Sequence, residues 1–554
     1  MISILYKPRR GRVRAKGFPW LSGSMTRIMR MLAVLAVISS GQIFAGQASA
    51  QSAAFKLAVA QAAARDKAIA TFYKQRNYRP LWTGGGDSQR RRALLEALKR
   101  APDHGLPQGR YDYDQVRRSF AGFKSAKARG VLEVETTRMF LQYARDIQSG
   151  ILEPRRVDRN MTLRPPRRDP LQLLVAFSKS TPGAFFRALQ PQDPGYARLL
   201  KEKQRMERVV GRGGWGPKVR ARKLTLGQKG AQVVALRRRL SAMRYGQLGN
   251  SPVYDQQLAR AVMAFQRDHG LNPDGVAGSK TIQAVNVSAT TRLMQVVIGL
   301  ERMRWLNKPL GKRHILVNEA AFMAYVIDNG KVTLETRVVV GQPGRWRTPE
   351  FEKKMTHMVI NPSWYVPASI AGGEYLPLLK KSPDALIRQE LVMTDASGKL
   401  VDPRQVDFSK FDKNNFPFSL RQPPSGANAL GKVKFMFPNK HAIYLHDTPA
   451  KSLFAKDIRA YSHGCVRVQK PFELAYTLLA PQVADPKAYF DRLVAAGKEV
   501  TVRLKEPVPI YLVYRTAWVS PEGRPNYRAD SYKVDKKVFA ALARAGVVLR
   551  GTRS

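Results

Sequence analysis

Cysteine is all but missing from this chain: one thiol, Cys465, stands among 554 residues. No internal disulfide can form, so a disulfide framework is excluded as a source of stability. Acidic residues are scarce as well. Lys and Arg number 95 against 41 Asp and Glu, a formal net charge of +54. Such a surface attracts polyanions, whether nucleic acid, acidic lipid or an acidic wall polymer, although a merely solubilising surface reads equally well. The basic residues are spread along the chain, with no long Lys/Arg block of the kind that forms nucleic-acid-binding tails. Beyond the N-terminus no stretch reaches the roughly 18 consecutive apolar residues of a membrane-spanning helix. What is present is enough for real cores. Hydrophobic residues make up 44% and aromatics 9%, and the length calls for three or more folded units.

The N-terminus reads as an export signal occupying residues 1–50. Basic residues from Lys7 to Arg30 precede an apolar run from Met31 to Ile38, and Ala48-Ser49-Ala50 offers a small-x-small cleavage site. That order is basic, apolar, cleavage site. Met25 is an alternative start. Export places the chain in the periplasm or cell envelope, makes envelope polymers the expected anion and argues against nucleic acid. Left uncleaved, the same segment would associate the chain with a membrane. A lone thiol in an oxidising compartment is a liability unless it is buried or used.

Residues 54–210 read as a mainly helical domain. Phe140, Tyr143, Ala144, Ile147 and Ile151 share one helical face that ends near Gly150. A Gly- and Arg-rich linker at 211–223 leads to a small unit at 224–288. There Val233, Leu236, Leu240 and Met243 define one helix, and Leu258, Val262, Phe265 and Gln266 a second. From 295 to 525 the pattern turns to short strands: 314–318, 324–327 before an Asn329-Gly330 hairpin turn, 336–340, 432–436, 442–445, 500–504 and 510–519. A helix near 472–480 opens on Pro471. An insert rich in Pro, Gly and Lys, about 363–428, has the size of a lid, and 526–554 reads as a C-terminal tail.

The chemistry concentrates in Tyr461-Ser462-His463-Gly464-Cys465-Val466-Arg467. A thiol attacks as thiolate, a state favoured by a nearby imidazole and a cation. In an extended strand His463 and Cys465 share a face. Gly464 lets a substrate carbonyl approach, and N–H groups of Gly464 and Cys465 would form an oxyanion hole. Arg467 continues the alternation, to hold a carboxylate or pin the loop. His446 ends an apolar strand upstream, within reach of a returning loop. A zinc site on His441, His446, His463 and Cys465 is a rival reading, unsupported by any recognised ligand spacing. Trp364 and Tyr365 either line the substrate cleft or pair in the core.

His446 followed by Ser462-His463-Gly464-Cys465-Val466-Arg467 resembles the catalytic signature of the L,D-transpeptidases (YkuD-type domain). Asn361-Pro362-Ser363-Trp364-Tyr365 and Gly426-Ala427-Asn428-Ala429-Leu430-Gly431 agree with it. Val468-Gln469-Lys470 departs from the usual continuation. The order Leu224, Gly227, Gly230, Val233, Leu236, Leu240, then Tyr254, Phe265-Gln266 and Asp274-Gly275 resembles the peptidoglycan-binding domain type 1. Together they resemble the large branch of the family. The expected fold is multidomain α+β, with a helical scaffold domain, a small helical peptidoglycan-binding domain and a β-rich catalytic domain with a capping insert. The resemblance implies that Cys465 attacks a tetrapeptide stem at the diaminopimelate–D-Ala bond. An amine of a second stem then resolves the thioester into a 3-3 crosslink. It implies His463 as base, Ser462 as orienter or loop former, Gly464 and Cys465 as oxyanion donors, and His446 and Arg467 as substrate contacts or loop stabilisers. No metal or other cofactor is implied, and carbapenem-type inhibitors are expected ligands. Water as acceptor, giving an L,D-carboxypeptidase or a hydrolase releasing wall-linked protein, stays open, as does a non-catalytic wall-binding protein.

Overall fold

The computed structural model describes residues 50–551, so the expected signal at 1–50 lies almost wholly outside the described residues. Two units separate by their internal contacts. The first holds the chain up to Gly85 together with Arg118–Thr137. Its polar centre is Glu133, fully buried, which accepts from Tyr73 Oη at 2.7 Å, Thr83 N at 2.9 Å and Thr83 Oγ1 at 2.8 Å. A buried carboxylate is tolerated because several donors replace its water. Among the described residues no helix is long and apolar enough to cross a membrane.

The second unit, Gly86–Arg117 and Arg138–Ser554, contains everything that positions the site. Its helical part opens as expected: Phe140, Tyr143, Ala144 and Ile147 are buried on the helix that stops at Ser149, before Gly150 with φ +84°. The 211–223 segment is less of a free linker than its composition suggests, for Trp215 and Val219 are buried. The small module follows, with helices Ala231–Ala242, Gln256–Asp268 and Ser279–Val285 around Leu236, Leu240, Leu258, Val262 and Phe265. Asp255 caps the second helix by accepting from Leu258 N at 2.9 Å.

The β-rich part is one nine-stranded sheet in the order β10-β3-β11-β9-β8-β4-β12-β1-β2, closed on itself because β2 also pairs with β3. Strands β1 (Arg313–Asn318), β2 (Met323–Asp328) and β3 (Lys331–Gly341) form the expected meander. Asn329 (φ +49°) and Gly330 (φ +79°) turn the hairpin in the left-handed region. β4 (Phe351–Ile360) and β8 (Val433–Met436) pair antiparallel, and β9 is only Leu445–His446. β10 (Ala460–Ser462) and β11 (Val466–Val468) flank the signature. The two strands expected at 500–504 and 510–519 are instead one long β12, Val500–Val513, with a register shift between Arg503 and Val508. Pro507 sits in that shift and Pro509 just beyond it, opposite Lys354, since proline cannot donate to a regular ladder.

The insert folds as a cap with its own apolar cluster, including Leu376, Leu379, Leu386, Met393, Phe408 and Leu420. Its small sheet orders β5 (Trp364–Tyr365), β7 (Ser419–Gln422) and β6 (Val392–Thr394). The segment 526–554, expected as a tail, is corrected by its burial. A helix at Asp535–Arg544 puts Val538 and Leu542 into the main core, with Val534 and Val547 on either side.

Candidate active site

Two short strands carry the site. β9 and β11 run parallel, with Leu445 opposite Val466 and His446 opposite Arg467. Leu445, Val466 and Val468 point into the main core. Alternation therefore turns Tyr444, His446, Cys465 and Arg467 to the other face. The expected strand 442–445 is shortened because Ala442 adopts φ +52°, a left-handed conformation that ends regular pairing.

The thiol of Cys465 is half-buried and close to the Ala442 carbonyl, at 3.6 Å. Burial pushes it up to about 11, against the pull of Tyr444, whose N–H and hydroxyl both hydrogen-bond the sulfur, and of Arg467. At rest the thiol is neutral. His446 is also buried, and burial together with Arg467 lowers it to about 3. Its Nδ1 lies 2.5 Å from the Asp447 carbonyl. A carbonyl only accepts, so Nδ1 carries the proton and Nε2 is left as a bare acceptor. That tautomer is held from behind. The Asp447 carboxylate accepts from Lys432 N at 2.9 Å and Thr448 N at 2.7 Å, and pairs with Lys451. Gly431 gives it room, since a Cβ there would fall 2.2 Å from Asp447 Oδ2.

His463, expected beside the thiol, is engaged elsewhere. Its Nε2 meets Glu374 Oε1 of the cap, and its ring stands edge-on to Trp346 with centroids 4.7 Å apart. The structure thus sets His463 against Glu374 and Trp346, while His446, whose Nε2 has no hydrogen-bond partner among the described residues, shares the thiol's sheet face. Ser462 shapes the loop. It donates to the Cys465 carbonyl at 2.5 Å and accepts from Gly464 N at 3.1 Å. Gly464 (φ +120°) therefore has its N–H occupied, while no acceptor engages the Cys465 N–H among the described residues. Of the two expected oxyanion donors, only the second is free. The Gly464 carbonyl accepts from Thr348 Oγ1 at 2.7 Å.

Arg467 shares the thiol's face and is largely buried, with an unpartnered Nε. Trp364 and Tyr365 are on the cap sheet, where Trp364 lies 6.3 Å from the Tyr375 ring and Tyr365 is 68% exposed. The four groups of the zinc reading do not converge. His441 packs by Phe351, 5.4 Å between rings, and no group of three His, Cys, Asp or Glu side chains gathers among the described residues. Trp346, Thr348, Glu374 and Tyr444 were not singled out from sequence. Tyr444 alone had a signal, two residues before His446 on the same strand face.

Residues 312–510 match the L,D-transpeptidase catalytic domain (YkuD), 229–285 the “Putative peptidoglycan binding domain” and 67–202 the Scaffold domain. A curated relative from Haemophilus influenzae, “Putative L,D-transpeptidase”, is 34% identical over 227 residues. That match covers 41% of this chain and 45% of the relative, so the chain spans less than half the length of the curated relative it matches. Two solved L,D-transpeptidase structures are also similar. The one from Xylanimonas cellulosilytica is 14% identical, covers 54% of this chain and 98% of that one, and has a TM-score of 0.16. The one from Stackebrandtia nassauensis is 13% identical, covers 54% and 97%, and has a TM-score of 0.20. Cys465, His446 and the loop between them thus lie in the segment that matches the L,D-transpeptidase catalytic domain (YkuD), in a chain that also matches the Scaffold domain and the putative peptidoglycan binding domain.

Proposed function

We propose that this chain is an exported peptidoglycan L,D-transpeptidase that forms 3-3 crosslinks through a thioester on Cys465. The observation that carries it is the neutral thiol, hydrogen-bonded by Tyr444, on the same sheet face as an imidazole fixed as the Nδ1–H tautomer. His446 Nε2 takes the thiol proton as sulfur attacks the diaminopimelate carbonyl. The Cys465 N–H donates to the developing oxyanion. The C–N bond breaks, and the proton on His446 passes to the leaving D-Ala amine. Arg467 holds a substrate carboxylate. An amine of a second stem then attacks the thioester, the C–S bond breaks and the thiol is restored. The high positive charge suits a substrate rich in carboxylates. Its basic, apolar and small-x-small N-terminal order supports action in the periplasm, and the 229–285 module supports anchoring on the wall.

The test incubates the protein with tetrapeptide-stem muropeptides and reads products by mass. A 3-3 dimer with free D-Ala is expected, and free tripeptide alone would assign water as the acceptor. Cys465→Ala should abolish both, and His446→Gln should slow D-Ala release by about a hundred-fold or more. A Cys465→Ala protein as active as its parent would sink the mechanism.

A further inference from the structure

The contact that draws His463 away from the thiol joins the cap to the catalytic loop. Glu374 belongs to a π-type turn, Ala371–Tyr375, between two short helical pieces, Ala368–Ile370 and Leu376–Lys381. Single π turns inside helices concentrate at functional sites, because they re-aim side chains that a regular helix would direct elsewhere. This one is held on both sides. Ala371 and Leu376 are in the cap's apolar cluster, and Gly372 packs so closely on the Lys413 backbone that a Cβ would lie 2.8 Å from its carbonyl oxygen. Tyr375 lies against Trp364 and hydrogen-bonds Gln389 at 3.1 Å. Glu374 is therefore presented by a rigid piece. Its carboxylate meets His463 Nε2 yet keeps 42% of its side-chain surface exposed, and His463 keeps 27%. A carboxylate so placed is unusual in a chain with 95 basic and 41 acidic residues. Its partner His463 is two residues along the loop from Cys465, the residue that carries the acyl group.

We propose that Glu374 and His463 form the acceptor-amine site: the cap carboxylate binds the incoming stem's ammonium, and His463 removes its proton. This rests on the transpeptidase reading and names what selects an amine over water. The proton balance requires such a group. An ammonium cannot attack, so one proton must leave nitrogen before the N–C bond forms. The amine adds to the thioester carbonyl and gives its second proton to the bare Nε2 of His446, the C–S bond breaks, and His446 returns that proton to the thiolate. The proton shed by the ammonium passes through the imidazole to Glu374 and then to solvent. A neutral water needs no carboxylate to draw it in, so the pair favours amines by charge.

The experiment compares the parent with Glu374→Gln and Glu374→Asp on tetrapeptide-stem muropeptides, measuring total D-Ala release and the ratio of 3-3 dimer to tripeptide. With Glu374→Gln the dimer-to-tripeptide ratio should fall at least about ten-fold while D-Ala release changes far less. The apparent KM for the acceptor stem should rise, and Glu374→Asp should restore part of the ratio. An unchanged ratio overturns the proposal. So does an equal fall in dimer and tripeptide, which would put Glu374 on the acylation step. Faster acylation in Glu374→Gln would make the contact a closed latch and overturn it too. Absence of D-Ala release by the parent chain would instead remove the transpeptidase reading itself.

Discussion

At the residue scale the central quantity is the protonation of Cys465. With the thiol pushed up to about 11 and His446 lowered to about 3, neither a thiolate nor an imidazolium is present at rest. In the proposed mechanism the proton moves during attack, which keeps the sulfur inert until a substrate arrives. Alkylation of Cys465 by iodoacetamide should accelerate about ten-fold per pH unit between about pH 7 and 9. A plateau below about pH 8 would mean a stabilised thiolate and contradict this account. Tyr444 supplies the hydroxyl bonded to sulfur. Tyr444→Phe should slow alkylation at fixed pH by about ten-fold, the loss of one hydrogen bond to a charged group.

At the scale of elements the loop after β3 decides where the aromatic wall stands. Gly341 ends β3, and its N–H donates to Thr348 Oγ1 at 2.9 Å. A Cβ there would lie 1.9 Å from the Trp346 carbonyl and 2.7 Å from Thr348 N, both backbone atoms that cannot swing aside. Gly341→Ala should therefore displace the segment that places Trp346 on His463 and Thr348 on the Gly464 carbonyl. The expected cost is about 1–3 kcal/mol, read as a lowered Tm, together with reduced acylation. A variant with unchanged Tm and activity would show that the loop is not packed this way.

At the scale of the whole molecule, buried titratable groups set how stability follows pH. His446 and His104 are both lowered from 6.5 to about 3, in each case first by burial. Unfolded, each imidazole binds a proton as pH falls below its ordinary value; folded, it does not until about 3. Stability is therefore complete above that ordinary value and is lost as pH falls towards about 3, by up to about 5 kcal/mol per group. Glu319 acts in the opposite sense. It is buried, both its carboxyl oxygens are unpartnered, and burial and the neighbouring Glu350 hold it well above the usual range. Its contribution is present in acid and lost as pH rises. Tm should fall steadily from about pH 7 to 4. Glu319→Gln should raise Tm near neutrality and leave it unchanged in acid, and a gain independent of pH would refute the assignment.

Much of this was legible in the linear sequence, because local rules act over short distances. Strand alternation located β1 to β3 and their Asn329-Gly330 turn, helical spacing located the small module, and the lone Cys465 beside Gly464 and His463 marked the loop. Local rules did not reach the single long β12, whose Pro507 and Pro509 look like a break until β4 pairs across them. Nor did they show that Val538 and Leu542 would enter the core, since burial depends on what the rest of the fold leaves uncovered. The partners of the two histidines were equally hidden. Spacing put His463 next to Cys465, but a ring nitrogen serves whichever partner is nearest in space. Only the tertiary structure set Glu374 against His463 and the Asp447 carbonyl against His446, because hydrogen bonds are made between atoms brought together by folding.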